Sequence, residues 1–184
     1  MCMTNDAAGA RGTQRVAAFA IDYAVIAAYI GLLTGAGFAS RALLHQQLGL
    51  PRTDSEKIHD HAVAFLTLTL PVALYFALSE ASRSQATFGK RARRLRVTTT
   101  DGQRVPLGRS LVRSAVKFAP WELAHTAIWQ TPGQPFVSPP GAWNVAGYAL
   151  ALGGAAWYTA ALFVGDLRTP YDHVAGTIVV EHKG

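Results

Sequence analysis

The sequence predicts an all-α membrane protein, a four-helix transmembrane bundle with a small cytoplasmic β-hairpin or three-stranded element. Half of the 184 residues are hydrophobic, and they gather in runs near the length of about 20 residues that crosses a bilayer. A basic segment, residues 83–110, separates two of these runs and contains a turn signal. The chain has the length of one domain, so we treat residues 1–184 as a single membrane domain.

The first predicted span covers residues 16–39, with Arg15 at its entrance and Asp22 inside it. A carboxylate within a spanning helix costs about 2.5–3.5 kcal/mol on insertion scales, so it is rare and needs a polar partner or a water-filled cavity. The second span covers residues 62–80 and ends at Glu80. Asp22 is therefore the first candidate for a functional residue.

The third span, residues 111–129, is ambiguous because it contains four polar or charged side chains, Arg113, Lys117, Glu122 and His125. Pro120 is expected to break this helix near its middle. Whether the segment crosses the membrane or lies at its surface stays open. The fourth span, residues 142–165, is uninterrupted and ends at Asp166.

The distribution of basic residues predicts the orientation. Ten of the seventeen lysines and arginines lie between Arg83 and Lys117, so by the positive-inside rule this side is cytoplasmic. Four crossings place both termini, including the tail 166–184, on the same side. The predicted location is the cytoplasmic (inner) membrane, with multiple passes.

The cytoplasmic segment contains a hairpin signal. Asp101-Gly102 separates two β-prone runs, Leu95–Thr100 and Gln103–Leu107, and Asp-Gly is a strong two-residue turn signal. Residues 176–183 are also β-prone. Because an isolated hairpin is marginal in water, we expect them to add a third strand.

Asp22 needs a partner other than Arg15, which lies roughly 10.5 Å away along the helix axis. The best candidates form a stripe at four-residue spacing that can face Asp22 and Glu80, namely Arg109, Arg113 and Lys117. Three interpretations stay open: a structural ion-pair network, a transport or protonation site, and a surface helix that binds anionic lipid.

The basic run at residues 90–96 is expected to bind anionic lipid headgroups through Lys90, Arg91, Arg93 and Arg94. A nucleic-acid site is disfavoured because this run lies between predicted spans. The ladder that contains Gly31 and Gly35 predicts close packing between helices of one chain, with a homodimer face as the alternative. Besides lipid, the expected partner is a second copy of the chain or another membrane protein.

Other candidate chemistry is weak. His45, His59, Asp60 and His61 could ligate a metal, but we expect solvated loop residues and no metal site. The single cysteine, Cys2, excludes an internal disulfide and a thiolate metal site. No catalytic constellation stands out, so we expect neither an enzyme nor a cofactor.

Four motifs together resemble the RDD family of small bacterial membrane proteins, named for one arginine and two aspartates. Arg15 and Asp22 resemble the arginine and first aspartate, and Asp172, in the run Tyr171–Val180, resembles the second. Between them, residues 86–102 resemble the family's Thr-x-Gly-Lys and leucine-arginine-valine, aspartate-glycine stretches. The match covers residues 14–180.

The chain departs from the family pattern at two positions. Phe88 stands where proline is common, and Tyr171 replaces the histidine before the second aspartate. The second departure weakens a histidine-aspartate proton relay unless His173 substitutes.

The resemblance implies a membrane helical domain for which transport, including cation/proton antiport in some members, is proposed. We expect a transport-related role centred on Asp22, Arg15 and Asp172, with Arg113 and Lys117 setting the charge state of Asp22. The alternative is a non-catalytic adaptor or assembly subunit in which these residues only fix the fold.

Overall fold

The structure of the protein, a computed structural model, describes residues 10–44 and 53–182. These residues form six helices and a two-stranded antiparallel sheet. The helices are α1 (Gly12–Leu43), α2 (Asp54–Ala81), α3 (Phe88–Ala92), α4 (Leu107–Trp129), α5 (Ala142–Ala160) and α6 (Pro170–Ala175). The strands are β1 (Leu95–Thr99) and β2 (Thr177–Glu181). The mostly helical fold predicted from the sequence is confirmed.

Two helices of the described chain, α1 and α2, are long and apolar enough to cross a membrane. They contain the predicted spans 16–39 and 62–80. Only 11% and 22% of their most apolar windows is buried within the protein, so much apolar surface faces outward. Single exposed apolar residues are ordinary in water, but continuous surfaces of this kind are typical of an interface or a membrane.

The other two predicted spans are helical but do not meet the same test. α4 contains residues 111–129, and α5 begins at Ala142 as predicted. α5 ends at Ala160 instead of Gly165, and Gly165 has a left-handed φ of 70° in the turn that follows. A bundle of four transmembrane helices therefore stays a prediction.

Pro120 does not break α4, which runs without interruption from Leu107 to Trp129. Proline has no N–H to donate to the carbonyl four residues earlier, which here belongs to Val116. The hydroxyl of Tyr158 donates a hydrogen bond to that carbonyl at 2.9 Å. A side chain from α5 therefore satisfies the backbone group that the proline leaves free.

The same arrangement occurs in α2, where Pro71 follows a π-helical turn at Phe65–Thr69. The carbonyl four residues before Pro71 belongs to Thr67, and the hydroxyl of Tyr29 donates to it at 2.5 Å. In the π turn just before the proline, the N–H of Leu70 donates to the Phe65 carbonyl, five residues earlier, so the helix is locally wider there.

The sheet corrects the predicted hairpin. β1 pairs with β2 in antiparallel register, with Leu95 opposite Glu181 and Thr99 opposite Thr177. The second predicted arm, Gln103–Leu107, contributes one isolated bridge, between Thr98 and Arg104. Pro106 cannot donate to a ladder, and Leu107 already begins α4. The Asp101-Gly102 turn is present, with Gly102 at a φ of 80°.

Contacts divide the chain into two compact units. Unit 1 contains the described residues 10–23, 72–118 and 155–182, and unit 2 contains 24–44, 53–71 and 119–154. The hydrophobic core of unit 1 surrounds the sheet and consists of Ala10, Ala18, Leu95, Val97, Val105 and Val179. The N–H of Ala10 donates to the carbonyl of Val179 at 2.8 Å, so the chain before α1 is fixed to β2.

In unit 2, α5 has a ladder of small residues at four-residue spacing, Gly147 and Ala151, and Gly147 of this ladder lies against α4. A Cβ at Gly147 would lie 2.9 Å from the Cβ of Ala127, and the side chain of Asn144 donates to the Ala127 carbonyl at 2.7 Å. Gly31 and Gly35 of α1 differ, because no atom of the described chain lies within 4 Å of a Cβ built there. Close packing within the chain is thus present for the α5 ladder and absent for the α1 ladder over the described residues.

Candidate functional site

Unit 1 contains three carboxylates that are fully buried, Asp22, Glu80 and Asp172, each 0% exposed. A buried carboxylate is costly unless charges or hydrogen bonds compensate it. Their surroundings differ: Asp172 and Glu80 belong to an ion-pair network, whereas Asp22 is held by uncharged donors. These two environments make up the candidate site.

Asp172 lies in the first turn of α6 and joins two arginines. Its Oδ2 accepts from Arg15 at 2.6 Å, and its Oδ1 accepts from Nη2 and Nε of Arg113 at 2.8 and 3.0 Å. Thr169 donates to Oδ2 through its hydroxyl at 2.6 Å and its backbone N–H at 3.1 Å, and the Thr177 hydroxyl reaches Oδ1 at 3.2 Å. Both carboxylate oxygens are therefore fully used.

The pKa of Asp172 reflects this environment. Burial alone would raise it, but the charges of Arg113 and Arg15 outweigh burial and hold the pKa of the Asp172 carboxyl well below its usual range. The hydroxyl of Thr169 acts in the same direction. Asp172 is thus an anchor that is ionised at neutral pH, where proton exchange at this carboxylate is disfavoured.

Arg113 continues the network from Asp172 to Glu80. Its Nη1 binds Oε2 of Glu80, and Oε1 of the same carboxylate accepts from Lys90 at 2.9 Å and Lys117 at 3.2 Å. Two aromatic rings line these cations. The Lys117 ammonium lies 4.1 Å from the Phe76 ring centroid, and the Arg113 guanidinium lies 4.9 Å from that of Tyr171, which are cation–π distances.

Asp22 has a different set of partners. Its Oδ2 accepts from the Thr87 hydroxyl at 2.6 Å, and its Oδ1 accepts from the Gly89 N–H at 2.8 Å and the Tyr75 hydroxyl at 2.9 Å. Among the described residues no lysine or arginine forms an ion pair with it, because Arg15, Arg113 and Lys117 bind the other two carboxylates. The prediction of a cation directly on Asp22 is therefore wrong.

Local sequence explains how Asp22 is held. Thr87 is the N-cap of α3, and Gly89 follows in its first turn, so a carboxylate here meets free N–H groups at a helix N-terminus. A Cβ at Gly89 would lie 2.0 Å from the Ala18 carbonyl oxygen and 2.9 Å from Cγ of Asp22. Only glycine allows α3 to approach α1 this closely.

The RDD family model matches residues 10–176. The chain belongs to the RDD family. No curated protein and no solved structure matches it. Family membership and the two apolar helices indicate a membrane protein. The residues that resemble the RDD arginine and aspartates, Arg15, Asp22 and Asp172, all lie in unit 1, where Arg15 binds the second aspartate and not the first.

The structure brings together the six residues predicted as the polar core of this RDD protein, Asp22, Arg15, Asp172, Glu80, Arg113 and Lys117, in unit 1. Arg109, the third member of the predicted stripe, is exposed. Arg109 lies one helical turn before Arg113, at the start of α4. Burial of the stripe therefore begins only at Arg113.

The predicted lipid contacts need one correction. Arg91, Arg93 and Arg94 are exposed, but Lys90 is 9% exposed and its ammonium binds Glu80. The position of Lys90 in α3 turns it away from its basic neighbours and toward α2. Lys90 is therefore a member of the polar core and not a headgroup contact.

Sequence reasoning missed the neutral donors of the RDD site, Tyr75, Thr87, Gly89, Thr169 and Thr177. Two signals were available. Thr169-Pro170 followed by Asp172 has the pattern of a capped helix start with proline at N1, and Thr87 with Gly89 stood within the quoted family motif. Nothing in the sequence indicated that Tyr75 donates to Asp22, because tyrosine is common in apolar helices.

The histidines of unit 2 are only partly solvated. His59 is exposed and lies 3.1 Å from Asp60, as expected, whereas His61 binds Glu122 at 2.9 Å. His45 lies outside the described residues. No group of three histidine, cysteine or acidic residues in the described chain could hold a metal ion.

Proposed function

We propose that this RDD protein has a transport-related role in the bacterial cytoplasmic membrane, exchanging a proton and a cation at Asp22. One observation carries the proposal. Asp22 is fully buried and has no positive partner among the described residues, whereas the other two buried carboxylates each bind two or more cations. A buried carboxylate that no lysine or arginine neutralises can take its counter-charge from a proton or a cation, and such a residue inside a membrane helix is a candidate functional site.

The partners of Asp22 suit reversible protonation. Two of its three donors are the hydroxyls of Tyr75 and Thr87, and a hydroxyl can donate or accept. When Asp22 takes up a proton, one hydroxyl turns to accept the new O–H while Gly89 continues to donate to the carboxyl group. The proton then leaves without any rearrangement of the backbone.

The same oxygens suit a small hard cation. Carboxylate and hydroxyl oxygens are the ligands such ions prefer, and with the hydroxyl hydrogens turned away Asp22, Tyr75 and Thr87 offer three kinds of oxygen. A bound cation and a bound proton would therefore compete for one carboxylate. Competition of this kind is the requirement for exchange.

The network around Asp172 supplies the frame in this proposal. Arg15 connects α1 with α6, and Arg113 connects α4 with both α6 and the end of α2. Breaking a buried pair is strongly unfavourable, so these elements hold a fixed geometry around Asp22. On the cytoplasmic side, we propose that Arg91, Arg93 and Arg94 bind anionic headgroups.

The second candidate is a non-catalytic adaptor or assembly subunit, alone or as a homo-oligomer. The observation that favours it is the saturation of Asp172, whose two oxygens are used by arginines and threonines. Such a network specifies a fold and performs no chemistry. In either candidate we propose a protein that is not an enzyme.

The test is flux in proteoliposomes that contain a pH-sensitive dye. With purified protein, addition of an alkali cation should drive proton release, and Asp22→Asn should abolish it while the protein remains folded and inserted. Asp101→Asn, in the exposed turn of unit 1, is the matched control and should keep full flux. Equal flux from Asp22→Asn and the parent would overturn the role of Asp22, and no flux from the folded parent with any alkali cation would favour the adaptor.

A further inference from the structure

Unit 2 contains a second polar cluster, built on a carboxylate that belongs to no predicted site. Oε1 of Glu122 lies 2.9 Å from Nε2 of His61, and Oε2 accepts from the Thr69 hydroxyl at 2.8 Å. Nδ1 of His125 lies 3.8 Å from the same Oε2. α2 supplies His61 and Thr69, and α4 supplies Glu122 and His125, one turn apart.

Nδ1 of His125 is buried and has no hydrogen-bond partner. A buried polar atom without a partner needs an explanation. Here the nitrogen faces a carboxylate from just beyond hydrogen-bond distance. In the neutral ring with its hydrogen on Nε2, Nδ1 carries a lone pair toward Glu122, and addition of a proton would replace this repulsion with an attractive N–H contact.

Within residues 10–44 and 53–182, no lysine or arginine forms an ion pair with Glu122, whose titratable partners are His61 and His125. The lysine of this part of α2, Lys57, binds Asp54 at 2.7 Å and the Thr131 carbonyl at 3.2 Å, and His59 and Asp60 pair with each other. On the unit 2 part of α1, the basic residue is Arg41, which is exposed. The unit 2 part of α5, residues 142–154, has no acidic or basic side chain.

We propose that Glu122, His61 and His125 form a proton-binding site. The proton adds to an imidazole nitrogen beside the carboxylate, His125 Nδ1 or the ring of His61, and no other bond forms or breaks. The charge of the cluster rises from −1 to 0 with one proton and to +1 with a second. Imidazole is the side chain whose charge changes most readily between pH 5 and 8.

This site does not depend on transport at Asp22. Use of its proton in exchange would rest on the function proposed above, whereas proton binding itself would not. The measurement that follows contains no gradient and no flux. Failure of either proposal therefore leaves the other standing.

Two tryptophans of unit 2 report on the cluster. Trp129 stacks on His61 with ring centroids 6.5 Å apart and an interplanar angle of 16°, and Trp121 meets His125 edge-on at 4.7 Å. A positively charged imidazolium beside an indole quenches its fluorescence. The exposed Trp143 and Trp157 can be replaced by phenylalanine, so that the remaining emission comes from the two reporters.

The experiment is a fluorescence titration of the purified double-phenylalanine variant in detergent micelles from pH 8 to 5. We expect a reversible loss of emission that His125→Gln and His61→Gln each reduce, with circular dichroism to verify that both are folded. Glu122→Gln should move the transition to lower pH by about 1 unit, because the carboxylate no longer attracts the proton. His59→Gln, on the same helix but exposed, is the matched control and should leave the transition unchanged.

Three results would overturn the proposal. The first is emission that does not change over this pH range. The second is a transition that both His61→Gln and His125→Gln leave intact. The third is a transition that Glu122→Gln does not move, since the carboxylate would then take no part in proton binding.

Discussion

Asp172 shows at the scale of one residue how a buried charge becomes structural. The carboxylate is 0% exposed and binds Arg15 and Arg113. Neither arginine can be neutralised at physiological pH. Removal of the Asp172 carboxylate would leave two buried arginines without a counter-charge. We expect most of its contribution to the free energy of unfolding to come from this effect.

We expect Asp172→Asn to lower the free energy of unfolding by about 3–5 kcal/mol, the range for removal of one partner of a buried pair. The measurement is denaturant unfolding in mixed micelles. Asp166→Asn is the matched control, because Asp166 is half-exposed in the loop before α6 and its loss should cost much less than the loss of Asp172. Equal effects would contradict the anchoring role.

A pH dependence follows from the lowered pKa of Asp172. The folded state holds this group ionised below the usual value of 3.8, so its contribution is present above that value and is lost as the pH falls through the folded pKa. Thermal stability in micelles should therefore fall below about pH 4. In Asp172→Asn the fall should be shallower, and identical profiles would be inconsistent with the proposed linkage.

The sequence indicated which residues of the site are charged, but not which pairs form. Asp22, Arg15 and Asp172 were all identified, and the separation of Arg15 from Asp22 along α1 correctly argued against a direct bond. That Arg15 binds Asp172 depends on a contact across 157 positions of the chain, which no local pattern encodes. Lys90 was misplaced because a basic run carries no signal for which member points inward.

At the scale of elements, two helices contain an internal proline and neither ends there. In each, a tyrosine hydroxyl from another helix donates to the carbonyl that the proline leaves free, Tyr158 to Val116 and Tyr29 to Thr67. The rule that proline interrupts a helix assumes that no other protein group donates to the carbonyl four residues before the proline. A tyrosine hydroxyl beside that carbonyl replaces the lost hydrogen bond. The sequence does not reveal which tyrosine lies at the same depth along the neighbouring helix.

A double-mutant cycle tests this account of α4. We expect Tyr158→Phe to lower the free energy of unfolding by about 1 kcal/mol, the usual net value of a hydrogen bond. In a Pro120→Ala background the alanine N–H can donate to Val116, so the same substitution should cost less than half as much. An equal cost in both backgrounds would show that Tyr158 does not compensate for the proline.

The close approach of α3 to α1 gives a second test at this scale. Gly89→Ala places a Cβ 2.0 Å from the Ala18 carbonyl and should cost about 1–3 kcal/mol, as overpacking does. Gly108→Ala is the matched control, because a Cβ there meets no atom within 4 Å and alanine favours helix. Thermal unfolding in micelles should show the two effects with opposite sign, and equal stabilities would contradict the contact.

At the scale of the whole molecule, the sequence predicted where the helices lie in the chain, but not which of them cross the membrane. Apolar runs located α1, α2, α4 and α5, because hydrophobicity is a local property of sequence. The strand predicted in residues 176–183 is present as β2 and pairs with β1. The second arm of the predicted hairpin, residues 103–107, did not form a strand, because Pro106 and the early start of α4 outweighed its β-propensity. Which helices cross the bilayer depends on lipid and on helix partners.

Thiol labelling tests the orientation. In a Cys2→Ser background, single cysteines at Ser55 and Ser138 should react with an impermeant reagent in intact cells, and one at Thr100 should react only after permeabilisation. Thr100 is exposed, whereas the neighbouring Thr99 is 3% exposed. If a cysteine in place of Thr100 does not react in intact cells, the reason is therefore the side of the membrane and not burial. Labelling of Thr100 in intact cells would reverse the topology.

The pairing of Arg15 with Asp172 has a consequence for how the protein is made. The ribosome synthesises Arg15, Glu80 and Arg113 well before Asp172, 157 positions after the first of them. Until α6 emerges, a partly made chain must keep Arg15 without its carboxylate and Arg113 with Glu80 alone. The polar network of unit 1 can therefore be completed only after α6 has been synthesised.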